Sequence, residues 1–328
     1  MLALTAQDVQ TLVPMKRAVE LMKIVFSDLS AGKTTSPLRT PVPVPEADGV
    51  SLFMPAYVPS IEGLGMKVVS VFPRNREQNK PTINAIVAVL DASTGEPVAL
   101  MDGTFLTALR TGAGAGAAAD LLARKDSKVI TCIGAGAQGL TQVWSVSEVR
   151  DIETVYIYDP DDSMRESFVD RLARYDSNLA KKVVPVTDLP AALRESDVVC
   201  TATTSKTPVY DHADIQPGTH INAVGAFQPT IQEIPVETLL NSYVVVDSVE
   251  AAIEEAGDLQ IPINNGEISR DLISVEVGHL VDGTAKGRTS DEQITFFKSV
   301  GNAVQDIIVA KEAVSRAIET GRGQEFSL

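Results

Sequence analysis

Cysteine is scarce in this 328-residue chain: Cys132 and Cys200 are the only two, each inside a short apolar run. That count supports neither a disulfide framework nor a cysteine-based zinc site, and the two thiols read as buried packing residues rather than nucleophiles. The three histidines, His212, His220 and His279, lack metal-ligand spacing and read as loop or packed residues, so no metal is expected. Basic residues are outnumbered: 28 Lys and Arg against 43 Asp and Glu leave a net charge of −15. With no Lys/Arg-rich run to meet phosphates, nucleic-acid binding is not expected. No apolar stretch reaches the ~18 residues of a membrane helix. The best candidates, such as residues 83–90, are strand-length, so no membrane association is expected. The opening MLALTAQDVQ has no basic segment followed by an apolar core, so a signal peptide is not expected and the cytoplasm is the expected location. Neither a G-x-S-x-G elbow nor a Walker loop occurs, and there is no internal repeat or low-complexity tract.

What remains is ordinary globular material. Hydrophobic residues at 44% and charged residues at 22% supply a sizeable core, and the length suits about two domains. Met15, Ala18, Val19, Met22, Val25, Phe26 and Leu29 share one helical face, with Gly32 as a stop. A Pro-rich connection over 36–45 follows, where helix is disfavoured. Residues 51–58 and 66–72 read as strands, and 83–91 with 97–101 flank an Ala-Ser-Thr-Gly hairpin turn. The segment TFLTALRTGAGAGAAADLLA is helix-compatible despite Gly112, Gly114 and Gly116, each costing roughly 1 kcal/mol relative to alanine. Three such glycines predict close backbone packing against a sheet or a cofactor, or else a loose helix with tight neighbours. Beyond Lys128 short apolar strands alternate with helices, the pattern of a doubly wound parallel sheet: strands at 129–133, 155–158, 183–186, 198–201, 221–224 and 244–246, helices at 140–149, 163–175 and 189–195. A long helix is expected over 291–318, with Ser290 and Gln293 as its capping pair.

The motif with the most specific chemistry is KVITCIGAGAQG. Gly134, Gly136 and Gly139 form G-x-G-x-x-G between an apolar strand and a helix. The first glycine permits a tight turn, the second lets backbone approach a pyrophosphate, and the third allows close helix–strand packing. Asp159 closes VYIYD twenty residues beyond Gly139, where a carboxylate accepts hydrogen bonds from the adenosine ribose. A carboxylate there repels a 2′-phosphate, and Pro160, Asp161 and Asp162 add no cation before Arg165. NAD(H) is therefore the expected cofactor, with NADP(H) left open should Arg165 swing in or Asp159 turn away. Asp159 also suits a helix cap. The small, hydroxylated Thr201-Ala202-Thr203 and the Val224-Gly225 pair end later strands, which suits either a nucleotide crevice or ordinary turns.

Three cations lie outside this unit in unusual company: Arg39 in SPLRTPVP, Lys67 in GLGMKVVSVFP and Arg110 in TALRTGAGAG. A buried charge in such surroundings is costly unless it meets an opposite charge. Each alone suits surface exposure or an internal salt bridge; together, in an acidic protein, they point to a small carboxylate ligand.

The segments SPLRTPV, GLGMKVVSVFP, FLTALRTGAGAG, IGAGAQG with YIYD, THINAVGAFQP and GRTSDEQITFFKSVGNAVQD together resemble the ornithine cyclodeaminase/mu-crystallin family over nearly the whole chain. The resemblance implies an α/β protein in which a Rossmann domain, 119–303, is inserted into a discontinuous α+β substrate-binding and dimerisation domain, 1–118 plus 304–328. It implies a homodimer, and it makes Arg39, Lys67 and Arg110 the ligands of a substrate carboxylate. Ornithine cyclodeaminases carry an Asp after NAVGG, where this chain has Phe227 after NAVGA. They also carry a Glu in the strand before the Met-Pro that matches Met54-Pro55, where this chain has Leu52. Neither Phe227 nor Leu52 can handle an amine, so cyclodeamination is not expected. Members with similar loops reduce Δ1-pyrroline-2-carboxylate and its six-membered homologue. The expectation is therefore NAD(P)H-dependent reduction of a cyclic imino acid, with Lys67 and Arg110 catalytic and Arg39, Lys67, Arg110 and Phe227 around the substrate. The expected cofactor set is Thr111, Gly134, Gly136, Ala137, Gln138, Gly139, Asp159, Thr201, Ala202, Thr203, Val224, Gly225, Ser299 and Gly301. The alternatives are an alanine-dehydrogenase-like amino-acid dehydrogenase, a cyclodeaminase, and a mu-crystallin-like binding protein.

Overall fold

A computed structural model describes residues 1–327. In chain order the first stretch runs β1 (Leu2–Leu4), α1 (Ala6–Leu12), α2 (Met15–Ser30), β2 (Thr40–Val44) and β3 (Gly49–Val58). It continues with β4 (Gly63–Val71), β5 (Ile83–Asp91), β6 (Pro97–Asp102) and α3 (Gly103–Leu122). Alternation follows: β7 (Val129–Ile133), α4 (Ala137–Ser147), β8 (Thr154–Tyr158), α5 (Asp162–Glu166), α6 (Phe168–Ala173), α7 (Ser177–Ala180) and β9 (Val183–Pro185). Next come α8 (Leu189–Arg194), β10 (Val198–Thr201), β11 (His220–Ala223), α9 (Val236–Leu240), β12 (Ser242–Val246), α10 (Val249–Glu255), α11 (Gly257–Asn264) and α12 (Val277–Val281). The chain closes with β13 (Ile294–Lys298), α13 (Ala303–Thr320) and β14 (Gln324–Glu325).

Two units result. One joins Met1–Arg110 to the chain from Asn302 onward; the other is Thr111–Gly301. The divisions thus fall inside α3 and just before α13, whereas the sequence suggested 118 and 304.

The first unit is a seven-stranded sheet, β14-β1-β6-β5-β4-β3-β2, antiparallel except where β1 runs parallel to β6. The Pro-rich connection contains its edge strand β2, where Pro41 and Pro43 lack the N–H groups that a central strand would need. One sheet face packs against α13, which in turn packs on α2. The alternation in β3, β4 and β5 turns Met54, Ala56, Gly63, Gly65, Lys67, Val87 and Val89 to the buried side. Gly65 is there because the packing is too close for a side chain. A Cβ on it would stand 2.3 Å from the Ala88 carbonyl and 2.9 Å from Ile307 Cδ1 of α13. The opposite face is apolar but open: Phe53, Val68 and Ile86 form one cross-strand row, and Pro55, Met66, Ala88 and Leu100 the next. Ile86 remains 49% exposed and Leu100 36%.

The second unit is a parallel sheet in the order β12-β13-β11-β10-β7-β8-β9. Strand order reverses between β7 and β10, which makes the carboxyl ends of these strands the ligand crevice of a Rossmann-type fold. Two expectations fail here. Residues 291–318 are not one helix: β13 lies fully inside the sheet between β11 and β12, and the helix starts only after Gly301. A strand buried on both faces carries a continuous apolar run, so Ile294 and Phe297 mimicked helical spacing. Ser290 and Gln293 close a loop instead, with Gln293 Oε1 accepting the Thr289 N–H at 2.8 Å. The capping box that starts α13 is Asn302 with Gln305. At Gly112 of α3 the tight-neighbour alternative applies rather than a sheet or a cofactor. A Cβ at Gly112 would lie 2.4 Å from the Thr141 carbonyl of α4, so the close approach is to a helix.

Gly65→Ala should force α13 or β5 aside and lower stability by about 1–3 kcal/mol. The check is the urea unfolding midpoint, which falls if the close approach is real and stays put if it is not.

Candidate active site

The carboxyl ends of β7, β10 and β11 carry the glycine loop and the two small-residue segments. Gly134 adopts φ +101°, and its N–H donates to the Tyr158 carbonyl at 2.9 Å. A Cβ on it would stand 2.5 Å from the Ala202 carbonyl. At Gly139 a Cβ would meet the Gly134 carbonyl at 2.0 Å, so the helix start sits directly on the loop. Beside Gly136, by contrast, a Cβ would meet nothing within 4 Å. Gly136 is the N-cap of α4 and offers no side-chain cap, leaving the first N–H groups of Ala137 and Gln138 for a ligand. Gln138 Oε1 is buried without a hydrogen-bond partner. A dinucleotide pyrophosphate fits this cradle: open backbone, free donors, positive helix end.

Asp159 directly follows β8 and braces the same loop. Its Oδ2 accepts the Ala135 N–H at 2.8 Å and its Oδ1 the Asp161 N–H at 2.9 Å. The helix-cap role falls to Asp161, which accepts from Ser163 and Met164. Arg165 is committed elsewhere, donating to the Asp159 carbonyl at 2.8 Å and to Asp162 Oδ1 at 2.5 Å. Arg171, which the sequence did not single out, donates from α6 to the Ala135 carbonyl at 2.5 Å.

Buried carboxylates, also unforeseen, fix the remaining crevice segments. Glu233 Oε1 accepts the Thr203 N–H at 2.5 Å, while its Oε2 accepts from the Ala226 N–H at 3.0 Å and the Thr201 hydroxyl at 3.3 Å. Burial pushes the Glu233 carboxyl above the ordinary range against the pull of Lys298. Lys298 itself pairs with Asp258 at 2.6 Å, both fully buried. Asp247 gathers the Ser299 hydroxyl at 2.7 Å and the N–H groups of Val300 and Gly301 at 3.1 and 2.8 Å. Thr201, Ala202, Thr203, Val224, Gly225, Ser299 and Gly301 are thereby held at strand ends. Thr111 is buried on α3, and Phe227 is half-buried in the turn after β11.

In the first unit, Lys67 and Arg110 converge on one carboxylate. Lys67 Nζ lies 2.7 Å from Asp306 Oδ2, and Arg110 Nε donates to Asp306 Oδ1 at 2.9 Å. Gln305 Oε1 accepts from Arg110 Nη1 at 3.0 Å. Lys67 is 1% exposed, Arg110 5% and Asp306 0%. Desolvation brings the Lys67 ammonium down to about 7; Asp306 opposes that shift, and the charges of Arg110 and Arg39 add to it. Arg39 is thus close enough to act on Lys67, and its segment is pinned to α13 by Ser36 Oγ donating to Asn302 Oδ1 at 2.5 Å. Asp306 was missed because it lay inside what read as one long helix. Its signal was an acid on the buried face, beside Val304, Ile307 and Ile308.

The other titratable residues have structural surroundings. Burial pushes the Cys132 and Cys200 thiols up, Cys200 to about 12, and the two are free. His220 is driven down to about 3 by burial and contacts Thr295 and Asn222. His212 contacts Thr238, and His279 caps α12. Among the described residues no group of three or more His, Cys, Asp or Glu could hold a metal, and no helix is long and apolar enough to cross a membrane.

The sequence pattern of the ornithine cyclodeaminase/mu-crystallin family matches residues 1–321. A Δ1-pyrroline-2-carboxylate reductase of Bacillus cereus is 40% identical over 327 residues, 99% of either chain. The solved structure of the Thermococcus litoralis Δ1-pyrroline-2-carboxylate reductase, in complex with NADH and L-proline, superposes with a TM-score of 0.94 at 40% identity, covering 99% of this chain and 100% of that one. An archaeal alanine dehydrogenase dimer with bound NAD gives 0.90 at 34% identity, covering 100% and 99%.

Asp159→Asn removes the charge facing the expected ribose position while keeping the side-chain shape. NADH affinity should fall about tenfold or more, the scale of one hydrogen bond to a charged group. Preference for NADH over NADPH should narrow in parallel, as steady-state kinetics with each cofactor would show; an unchanged ratio would remove Asp159 from cofactor choice.

Proposed function

The chain belongs to the ornithine cyclodeaminase/mu-crystallin family, and on that premise we propose that it reduces cyclic imino acids with NADH. Δ1-Pyrroline-2-carboxylate would give L-proline, and Δ1-piperideine-2-carboxylate L-pipecolate. The observation that carries this reading is a charge imbalance. Lys67 and Arg110 share one buried carboxylate, Asp306, so two cations face a single acid and have positive charge left for a second anion. The neighbouring positions on the same sheet face are apolar. Met54 and Val87 flank Lys67 across the strands, and Leu52, Val69 and Ala85 form the next row. A compact carboxylate with a hydrocarbon ring suits such walls, and a diamino acid does not.

Arg39 and Arg110 hold the carboxylate, and Lys67 delivers or relays the proton that the imine nitrogen needs. A dinucleotide held at the Gly134–Gly139 loop would supply the hydride for the imine carbon, so that NADH, one proton and C=N would become NAD+ and CH–NH. A protonated imine is already a good acceptor, so Lys67 need not be a strong acid. Orientation then supplies much of the acceleration, up to roughly 7–11 kcal/mol. NAD(H) is favoured over NADP(H) by the Asp159 carboxylate and by the engagement of Arg165.

The same proposal includes a homodimer formed through the open apolar sheet face, and residence in the cytoplasm, in keeping with two free buried thiols.

The deciding assay follows NADH oxidation with five- and six-membered cyclic imino acids, with pyruvate plus ammonia as control. Turnover of the imines is expected, and none with either ring would end the reading. Lys67→Ala and Arg110→Ala should each cost roughly 10²–10³-fold in kcat/KM, the scale of one charge-stabilising group, while NADH binding stays within about twofold. Ile86→Glu should convert dimer to monomer in light scattering; a variant that stays dimeric would exclude this face.

A further inference from the structure

The carboxylate beneath the two cations has geometry of its own. Asp306 Oδ1 accepts a hydrogen bond from Arg110, and Oδ2 lies 2.7 Å from Lys67 Nζ. The Lys67–Asp306 contact is thus a buried ion pair at hydrogen-bonding distance. Gln305 completes the brace, its Oε1 taking Arg110 Nη1 and the Asn302 N–H at 2.8 Å. Charged groups reach Lys67 from three elements: Asp306 from α13, Arg110 from α3, and Arg39 from the segment before β2. Its strand neighbours Met54 and Val87 carry no charge.

We propose that Asp306 is a positioning residue that retains partial charge on Lys67 in the empty site, and that an arriving substrate carboxylate draws a proton onto Lys67 as it binds. The physical basis is the cost of a buried ammonium. Burial first, and then the charge of the neighbouring Arg110, disfavour the ammonium against the pull of Asp306 and bring Lys67 down to about 7. A second carboxylate within about 4–6 Å favours the charged form by roughly one to three pH units. Substrate thus charges its own proton donor, and product leaves a site that has given the proton away.

This inference rests on the carboxylate part of the function proposed above, and it is tested separately from turnover. Pyrrole-2-carboxylate, a planar acid that neither accepts hydride nor ionises near neutrality, is titrated calorimetrically into the NAD+-saturated enzyme at pH 8, in buffers of different ionisation enthalpy. The wild type should take up several tenths of a proton per site. Lys67→Arg should take up none, because a guanidinium cannot titrate there. Asp306→Asn should move the falling alkaline limb of kcat/KM for pyrroline-2-carboxylate down by one pH unit or more, and Asp306→Glu should move that limb back. Ionisation of the substrate is common to all these enzymes and cancels from the comparison. Uptake that persists in Lys67→Arg, or a limb unmoved in Asp306→Asn, overturns the inference. A wild type that takes up the proton yet reduces no cyclic imine leaves the inference standing and ends the functional reading. A wild type that reduces the imine without proton uptake does the reverse.

Discussion

Two buried cations sharing the two oxygens of Asp306 are the constraint on which the first unit is arranged. Removing a carboxylate, an ammonium and a guanidinium from water is costly, and the cost is met only if their contacts are held in place. The scaffold supplies that rigidity through the close seating of α13 on β4. Gly63 and Gly65 leave room for Ile307, and the preceding residue on the helix is then delivered to Lys67 two positions further along the strand. Asn302 and Gln305 fix the first turn of the helix, and Gln305 also reaches Arg110, so the capping box and the ion cluster share a side chain.

The second unit applies the same device to backbone. Glu233, Asp247 and Asp159 are carboxylates whose oxygens take N–H groups from loops at the strand ends. Each loop would otherwise be free to move, because short connections at a topological switch point have few apolar contacts of their own. With their donors committed to fixed acceptors, the segments around 202, 225 and 300 keep one shape. The groups left uncommitted are those at the start of α4, where an anionic ligand has most to gain from the helix field.

Much of this was legible in sequence, and the reasons differ by residue. The strand β7, the glycine loop and Asp159 stand out because backbone approach to a pyrophosphate tolerates few residue types at fixed spacing. Lys67 and Arg110 stood out as charges in apolar company. Their partner did not, since Asp306 sits among Val304, Ile307 and Ile308 in a stretch whose period was misread through β13. A strand covered on both faces loses its alternation, and its neighbour in sequence was a true amphipathic helix, so the two merged. Glu233, Asp247 and Asp258 left no local signal at all. Apart from Ser248 beside Asp247, the partners named above lie 7 to 54 residues away, and only the folded sheet brings them together.

The margins of the first sheet limit the ways in which this chain could associate. One border is β2, with prolines at 41 and 43; the other is the two-residue β14. Neither offers a recruiting row of main-chain donors, so growth by strand addition is blocked at both ends. Contact through the flat apolar side is a different matter, because a surface that meets its own copy about a twofold axis is used up in the act. In the proposed dimer, assembly would therefore end at a closed number of subunits, with the greasy plane covered rather than extended.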